Sequence, residues 1–328
     1  MEAIALERAL PRLPKSFLTG KARACPITIK DIKVDKMSET LFLQAVVNGL
    51  SMGSIYALVA CGLTMIFGVM KIVNMAHGTF LMICMYIVFY FHILFRLDPY
   101  ISMLVTIPLS FIGGIIIFFL FIRPILKDDP INQILVTLGL GMVLENLALI
   151  FFSPDLRNVK ANWSEITLSF FSTYITYSQI LAIVGSISIS LILFQIIQRT
   201  SLGRCIRAAS ENPSAAVLMG INVPRIYAIS FALGITCLGF AAPLLTPLYY
   251  VSPTVGELFT LTSFVVVILG GMGNFVGALL GGLIIGMVEA FGFILLPIGS
   301  LTPVFIFIIF ILILIFKPEG LFGGRNRL

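Results

Sequence analysis

Residues Ser201–Arg225 read SLGRCIRAASENPSAAVLMGINVPR, a polar stretch set between two long apolar blocks. Arg204, Arg207 and Arg225 lie within it and Arg199 just before it, and no other connection between apolar blocks is as basic. Short connections rich in Lys and Arg stay on the cytoplasmic face of a membrane, so this loop orients the chain. It also has helix-forming content in Ala208, Ala209, Ala215, Ala216, Leu218 and Met219. Ser210 followed by Pro213 reads as a helix start, and Gly220 with Asn222 and Pro224 as a stop. A short helix outside the bilayer with an apolar side has two readings. It is a connector lying on lipid headgroups, or it is a docking element for a cytoplasmic partner.

The apolar blocks on either side set the class. The 328 residues are 59% hydrophobic and only 11% charged, with a mean hydropathy of +1.08. Soluble domains carry roughly 25% charged residues. The composition is that of an integral membrane protein, and the long apolar blocks point to an all-α polytopic helical bundle. They exclude a β-barrel, whose strands alternate over about ten residues. The net charge of +6 follows from basic connections and carries no implication of nucleic-acid binding. Cys25, Cys61, Cys84, Cys205 and Cys237 are scattered and read as small apolar fillers. With His77 and His92 the only histidines, no metal site is expected.

Residues 1–36 mix Lys, Arg, Pro and acidic side chains and lack the apolar core of a secretory signal. They read as an extension ahead of a transmembrane domain spanning 37–328. It is either dispensable, with Met37 the natural start, or a basic amphipathic anchor. Apolar blocks then run over about Leu41–Val69, Phe80–Phe95, Ile101–Ile122, Asn132–Phe152, Ile180–Ile197 and Ile226–Tyr249. Trp163, Tyr174 and Tyr177 in the connection before the fifth block suit an interfacial belt. Gly256–Leu296 is too long for one span at 1.5 Å per residue; Gly270, Gly271, Gly273 and Asn274 divide it in two. A last block, Val304–Phe316, leads to Lys317, Arg325 and Arg327. The expected count is eight or nine spans, with the Arg-rich loop and the C-terminus cytoplasmic. The side of the N-terminus stays open.

Two stretches interrupt the apolar pattern with small and polar residues: Val69–Phe80 (VMKIVNMAHGTF) and Leu269–Gly282 (LGGMGNFVGALLGG). Irregular backbone at membrane depth persists only where protein or a hydrated path satisfies it, and transporters place substrate near such breaks. The alternative for each is a simple turn at the membrane surface. Gly49 with Gly53, Gly277 with Gly281 and Gly282 with Gly286 have GxxxG spacing, which allows close helix approach within the bundle or against a second subunit. Glu145 and Glu289 fall inside apolar blocks, where a carboxyl is either structural or a proton or substrate contact; the structural reading is favoured, because no Lys or Arg lies in a neighbouring block. Glu257 reads as the solvated edge of its helix. The chain has no GxxxxGK[ST] loop, no HExxH and no GxSxG. Covalent chemistry and ATP hydrolysis have no visible means here, so the chain moves something or assists in moving it.

The run NGLSMGSIYALVACGLTMIFGVMKIVNMAHGTFLM, Asn48–Met82, resembles the opening of the shorter type of membrane permease in branched-chain amino acid ABC importers. The likeness continues through the Arg-rich loop, ILGGMGNFVGALLGGLIIGMVEA and FKPEGLFG, covering about Leu41–Gly323. The resemblance implies a non-enzymatic transport subunit in a bacterial-type inner membrane. Its partners would be a second related permease or a second copy, two cytoplasmic ABC ATPases and an external substrate-binding protein. No cofactor would sit on this chain, ATP and Mg being held by the ATPases. By position, the ATPase-coupling region would comprise Arg204, Arg207, Ala208, Ala209, Glu211, Asn212, Ala216, Gly220, Ile221 and Asn222. Polar candidates for the path are Asn48, Ser51, Ser54, Thr64, Asn74 and His77. The substrate expected is a branched-chain amino acid or a related small amino acid or amide. Two rivals stand beside this reading: an ion-coupled secondary transporter of a small polar solute using Glu145 and Glu289, and a membrane scaffold whose loop recruits a cytoplasmic protein.

Overall fold

The computed structural model describes residues 39–159, 166–170, 173–295, 302–317 and 320–323. The proposed extension at 1–36 and the interfacial Trp163 lie outside the described residues. The first helix, α1 (Glu39–Met70), is 32 residues long. α2 (His77–Phe95) and α3 (Met103–Ile117) follow, and α3 continues through a π turn, Phe118–Ile122, into α4 (Arg123–Ile125). Pro124 cannot donate to the carbonyl one turn back, and Arg123 N–H reaches Phe118 O instead. α5 (Pro130–Phe152) starts on a proline, whose missing N–H is harmless in a first turn.

The connection to the next span holds a small antiparallel hairpin, β1 (Thr167–Phe170) with β2 (Thr173–Thr176), paired Thr167 to Thr176 and Phe170 to Thr173. α6 (Tyr177–Arg199) begins with a capping box of Thr176 and Gln179. The Arg-rich loop folds into α7 (Ser201–Glu211) and α8 (Pro213–Leu218). α9 (Val223–Leu245), α10 (Val255–Gly270), α11 (Phe275–Leu295) and α12 (Thr302–Phe316) complete the order. Among the described residues, seven helices are long and apolar enough to cross a membrane, counting Met103–Ile125 as one; Val255–Gly270 and Val304–Phe316 are shorter apolar helices. The protein is a multi-pass helical bundle, and the long block after Gly256 is indeed two helices.

α1 is the hub. From Ile55 to Ile66 almost every side chain is buried, including Leu58, Leu63, Met65 and Ile66, because α6, α9, α10 and α11 all pack around it. The GxxxG glycines account for the closest of these contacts. A Cβ at Gly286 would fall on the backbone of Gly53, and one at Gly282 on the backbone of Ala57. Gly277 meets Gly270 in the same way, closing α11 onto α10. These pairs are therefore spent within one chain, where absent side chains let backbones touch.

Several ends gather at one pole of the bundle. Phe67, Gly68 and Lys71 at the end of α1, Ser210 and Glu211 at the end of α7, and Met272 and Gly273 between α10 and α11 line one groove of about 450 Å³. The C-terminal segment joins them, with Leu321 N–H donating to Leu269 O at 2.7 Å. The beginning of α1 thus lies at the pole opposite the Arg-rich loop. The opposite pole carries its own tie: Arg157 and Val251 exchange backbone hydrogen bonds of 2.9 and 2.7 Å. Arg157 also donates to Phe152 O and lies over the Phe89 ring at 5.0 Å.

Candidate functional site

The loop between α6 and α9 is a rigid bracket. Thr200 caps α7 by accepting from Gly203 N–H at 3.1 Å. Gly203 presses on the Ile197 carbonyl where a Cβ would overlap it, and Arg207 donates to that same carbonyl. The turn from α6 into α7 is held at both faces. α8 starts at Asn212, whose Oδ1 accepts from Ala215 N–H at 3.0 Å. The helix start read at Ser210 therefore falls two residues later, and the Arg-bearing segment ahead of it is itself helical. Asn and Ser are comparable caps; Pro213, fixed in a first turn, selects the residue just before it. Gly220 ends the unit with φ of 81°, a left-handed conformation that glycine adopts without a side-chain clash.

The bracket has two faces. Ala209, Ala216 and Val223 are buried together, with Ile221, Ile226 and Tyr227 against them. Of the coupling residues picked by position, Ala209 and Ala216 thus fasten the bracket to α9. The opposite face presents Val217, Leu218 and Met219, with Leu218 87% and Met219 82% exposed. Glu211, Asn212 and Gly220 are exposed beside them, as is Arg204. Leu218 and Met219 are not among the residues picked by position, because their apolar character argues for helix formation and packing. The signal lay in position: two large apolar side chains in the last turn of a helix that sits outside the apolar blocks.

The break between α1 and α2 goes deeper than a surface turn. Lys71 takes φ of 58°, and the chain then runs back so that His77 Nε2 donates to Val59 O at 3.0 Å. Val59 lies eleven residues before the end of α1, about 16 Å along a helix. Irregular backbone at such depth has to be satisfied by protein, and here it is. The Thr137 hydroxyl of α5 accepts from Met75 N–H and contacts Val73 O, both at 3.2 Å. Asn74 Oδ1 accepts from Ala76 N–H at 3.2 Å, and Gly78 N–H donates to the Thr260 hydroxyl of α10 at 2.9 Å. Asn74 and His77 are fully buried. Asn74 Nδ2 and His77 Nδ1 have no hydrogen-bond partner among the described residues.

The break between α10 and α11 is a tight turn at the pole of the Arg-rich loop. Gly271 and Gly273 take φ of 95° and 85°, which explains the choice of glycine at both. Asn274 caps α11 by accepting from Gly277 N–H at 3.1 Å, while its Nδ2 donates to Phe322 O at 2.9 Å. The two breaks meet α7 at the shared groove.

The remaining polar candidates on α1 face elsewhere. Asn48 is exposed at the opposite pole and accepts from Gln179 Nε2 at 2.8 Å. Ser51 and Ser54 donate to carbonyls within α1 at 2.9 and 2.8 Å, and Ser54 also approaches Ala182 O of α6 at 3.3 Å. Thr64 is fully buried. The structure therefore brings Asn74 and His77 together in the break and leaves Asn48 and Ser54 along the α1–α6 contact, with Ser51 bonded within α1. Thr137 and Thr260, which hold the deep break, went unnoticed in the sequence because hydroxyls inside apolar helices ordinarily bond to their own backbone.

A sequence profile described as branched-chain amino acid transport system / permease component matches residues 45–314. The high-affinity branched-chain amino acid transport system permease protein BraD of Pseudomonas aeruginosa is 32% identical over 297 residues, covering 86% of this chain and 96% of that protein. The corresponding LivH protein of Escherichia coli K12 is 29% identical over the same share of each chain. A shorter match reaches the fructose import permease protein FrcC of Rhizobium meliloti, 33% identical over 103 residues and 29% of each chain. No solved structure matches the chain. With the profile running through the hub helix, both breaks, the bracket and into α12, the chain belongs to the family of branched-chain amino acid transport system permease components.

Proposed function

We propose that this chain is the membrane permease subunit of an ATP-binding cassette importer for branched-chain or closely related small amino acids, and that the α7–α8 bracket couples it to a cytoplasmic ATPase. The observation that carries the coupling is the exposed pair Leu218 and Met219 on a helix whose other face is fastened to α9. Exposed apolar anchors on a rigid support are what a partner pocket binds. A loop lying passively on headgroups has no need of the Ile197–Arg207 tie.

In this reading the bracket, the C-terminal segment and the pole they share face the cytoplasm of a bacterial-type inner membrane, as the arginines favour. A second permease or a second copy completes the path, two ATPases hold the ATP and Mg, and an external binding protein delivers substrate to the opposite pole. This chain binds no cofactor. A push on Leu218 is passed through Ala216 and Ala209 to α9, and through Arg207 to α6. Both helices pack on α1, whose end shares the groove with the bracket. Movement of the ATPase thereby biases the bundle between outward and inward access.

The test is co-purification in mild detergent of the chain with its ATPase. Replacing Leu218 and Met219 with Asp, on the exposed face, abolishes the association and leaves the permease folded. Retained association in the double variant sinks the coupling assignment.

A further inference from the structure

Between α1, α10, α11 and α12 lies a pocket of about 130 Å³ lined by Tyr56, Tyr249, Phe259, Thr262 and Glu289 together with Leu258, Leu261, Val265, Ile306 and Phe307; Leu258, Leu261 and Phe307 form its exposed rim. An apolar cavity of similar size, about 150 Å³, accepts a benzene molecule. Three of its side chains form a connected aromatic wall. Phe259 is at its centre, with the Tyr56 ring at 5.7 Å and the Tyr249 ring at 5.6 Å, the latter edge-on at 88°. Glu289 supplies a carboxyl. Its carboxyl shares the pocket with Tyr56, and Oε2 is buried with no partner among the described residues. Among the described residues, no Lys or Arg lines the cavity.

A carboxyl group at this position is costly to ionise without a cation beside it, and an ionisable group within an apolar helix is a candidate functional site even where a structural reading is open. What would complete this site is a positive charge small enough to enter, carried on an apolar body. Aromatic faces beside a carboxylate suit an organic ammonium, which interacts with ring quadrupoles as well as with the charge. Leu258, Leu261, Val265, Ile306 and Phe307 suit a short aliphatic group beside it.

We propose that the Tyr56–Phe259–Tyr249–Glu289 cavity binds a primary ammonium group attached to an aliphatic body. An aliphatic amino acid offers that chemistry, and so does an aminophospholipid. The solute case rests on the transport reading above and adds to it a place in the bundle where the amino group is recognised. Carboxyl-group recognition is not built into this cavity.

The experiment uses the full chain in nanodiscs of phosphatidylglycerol, with saturation-transfer NMR reading the binding of leucine, 3-methylbutylamine and 4-methylpentanoate. 3-Methylbutylamine gives a signal with the wild type, leucine gives a weaker one because its carboxylate finds no cation in the lining, and 4-methylpentanoate gives none. Glu289→Gln weakens the amine signals at least ten-fold, and Phe259→Leu, which keeps an apolar side chain, weakens them several-fold. Adding phosphatidylethanolamine distinguishes the sources: displacement of the amine assigns the site to lipid, and no displacement assigns it to a solute. Equal binding of 4-methylpentanoate, no binding of either amine, or amine signals unchanged by Glu289→Gln overturns the proposal. Association of the wild-type protein with the ATPase is measured on the same sample. If it persists while the amines fail to bind, the failure belongs to this cavity and not to the transport reading.

Discussion

At Gly286 a methyl group would occupy the space of the Gly53 backbone. Gly286→Ala forces α1 and α11 apart, and overpacking of this kind costs about 1–3 kcal/mol. Gly139 of α5 is the control, since a Cβ there meets nothing within 4 Å. Thermal unfolding in detergent checks the pair: Gly286→Ala lowers the midpoint, and Gly139→Ala leaves it unchanged or raises it slightly. The spacing of these glycines was legible in the sequence, but the partner was not. GxxxG states that something comes close, and only the antiparallel run of α11 along α1 identifies it. The same limit applied to Glu289, whose carboxyl was visible as an anomaly while its aromatic neighbours come from three other stretches of chain.

The elements divide in the same manner. Block boundaries were readable because length and hydropathy fix a span, so α1 ends within a residue of the apolar block that foretold it. The interior of each break was not. Val69–Phe80 and Leu269–Gly282 look alike in composition, yet one is a surface turn made by Gly271 and Gly273 and the other runs deep into the bundle. What separates them is Thr137 and Thr260, hydroxyls on helices far away in sequence. Thr137→Val leaves the half-buried Met75 N–H without its acceptor, a loss of about 1 kcal/mol, whereas Thr137→Ser keeps the hydroxyl. Hydrogen exchange of the 71–77 amides accelerates in the valine variant and not in the serine variant. Equal exchange in all three proteins denies the hydroxyl its role in holding the break.

On the scale of the whole molecule, one pole collects the end of α1, the α10–α11 turn, the C-terminal segment and the bracket, and the other carries the hairpin and the Arg157 tie. This polarity suits a permease driven from one side and supplied from the other. The importer proposed above and an ion-coupled transporter built on Glu145 and Glu289 part at Leu218 and Met219, which the first uses as anchors for a partner and the second leaves without a role. The most direct measurement is uptake of labelled leucine into proteoliposomes holding the chain, with and without its ATPase, permease and binding-protein partners. The account predicts uptake that requires ATP and the binding protein and is lost when Leu218 and Met219 are replaced by Asp. Uptake by the chain alone on a proton or sodium gradient, indifferent to ATP and to those two residues, would contradict it.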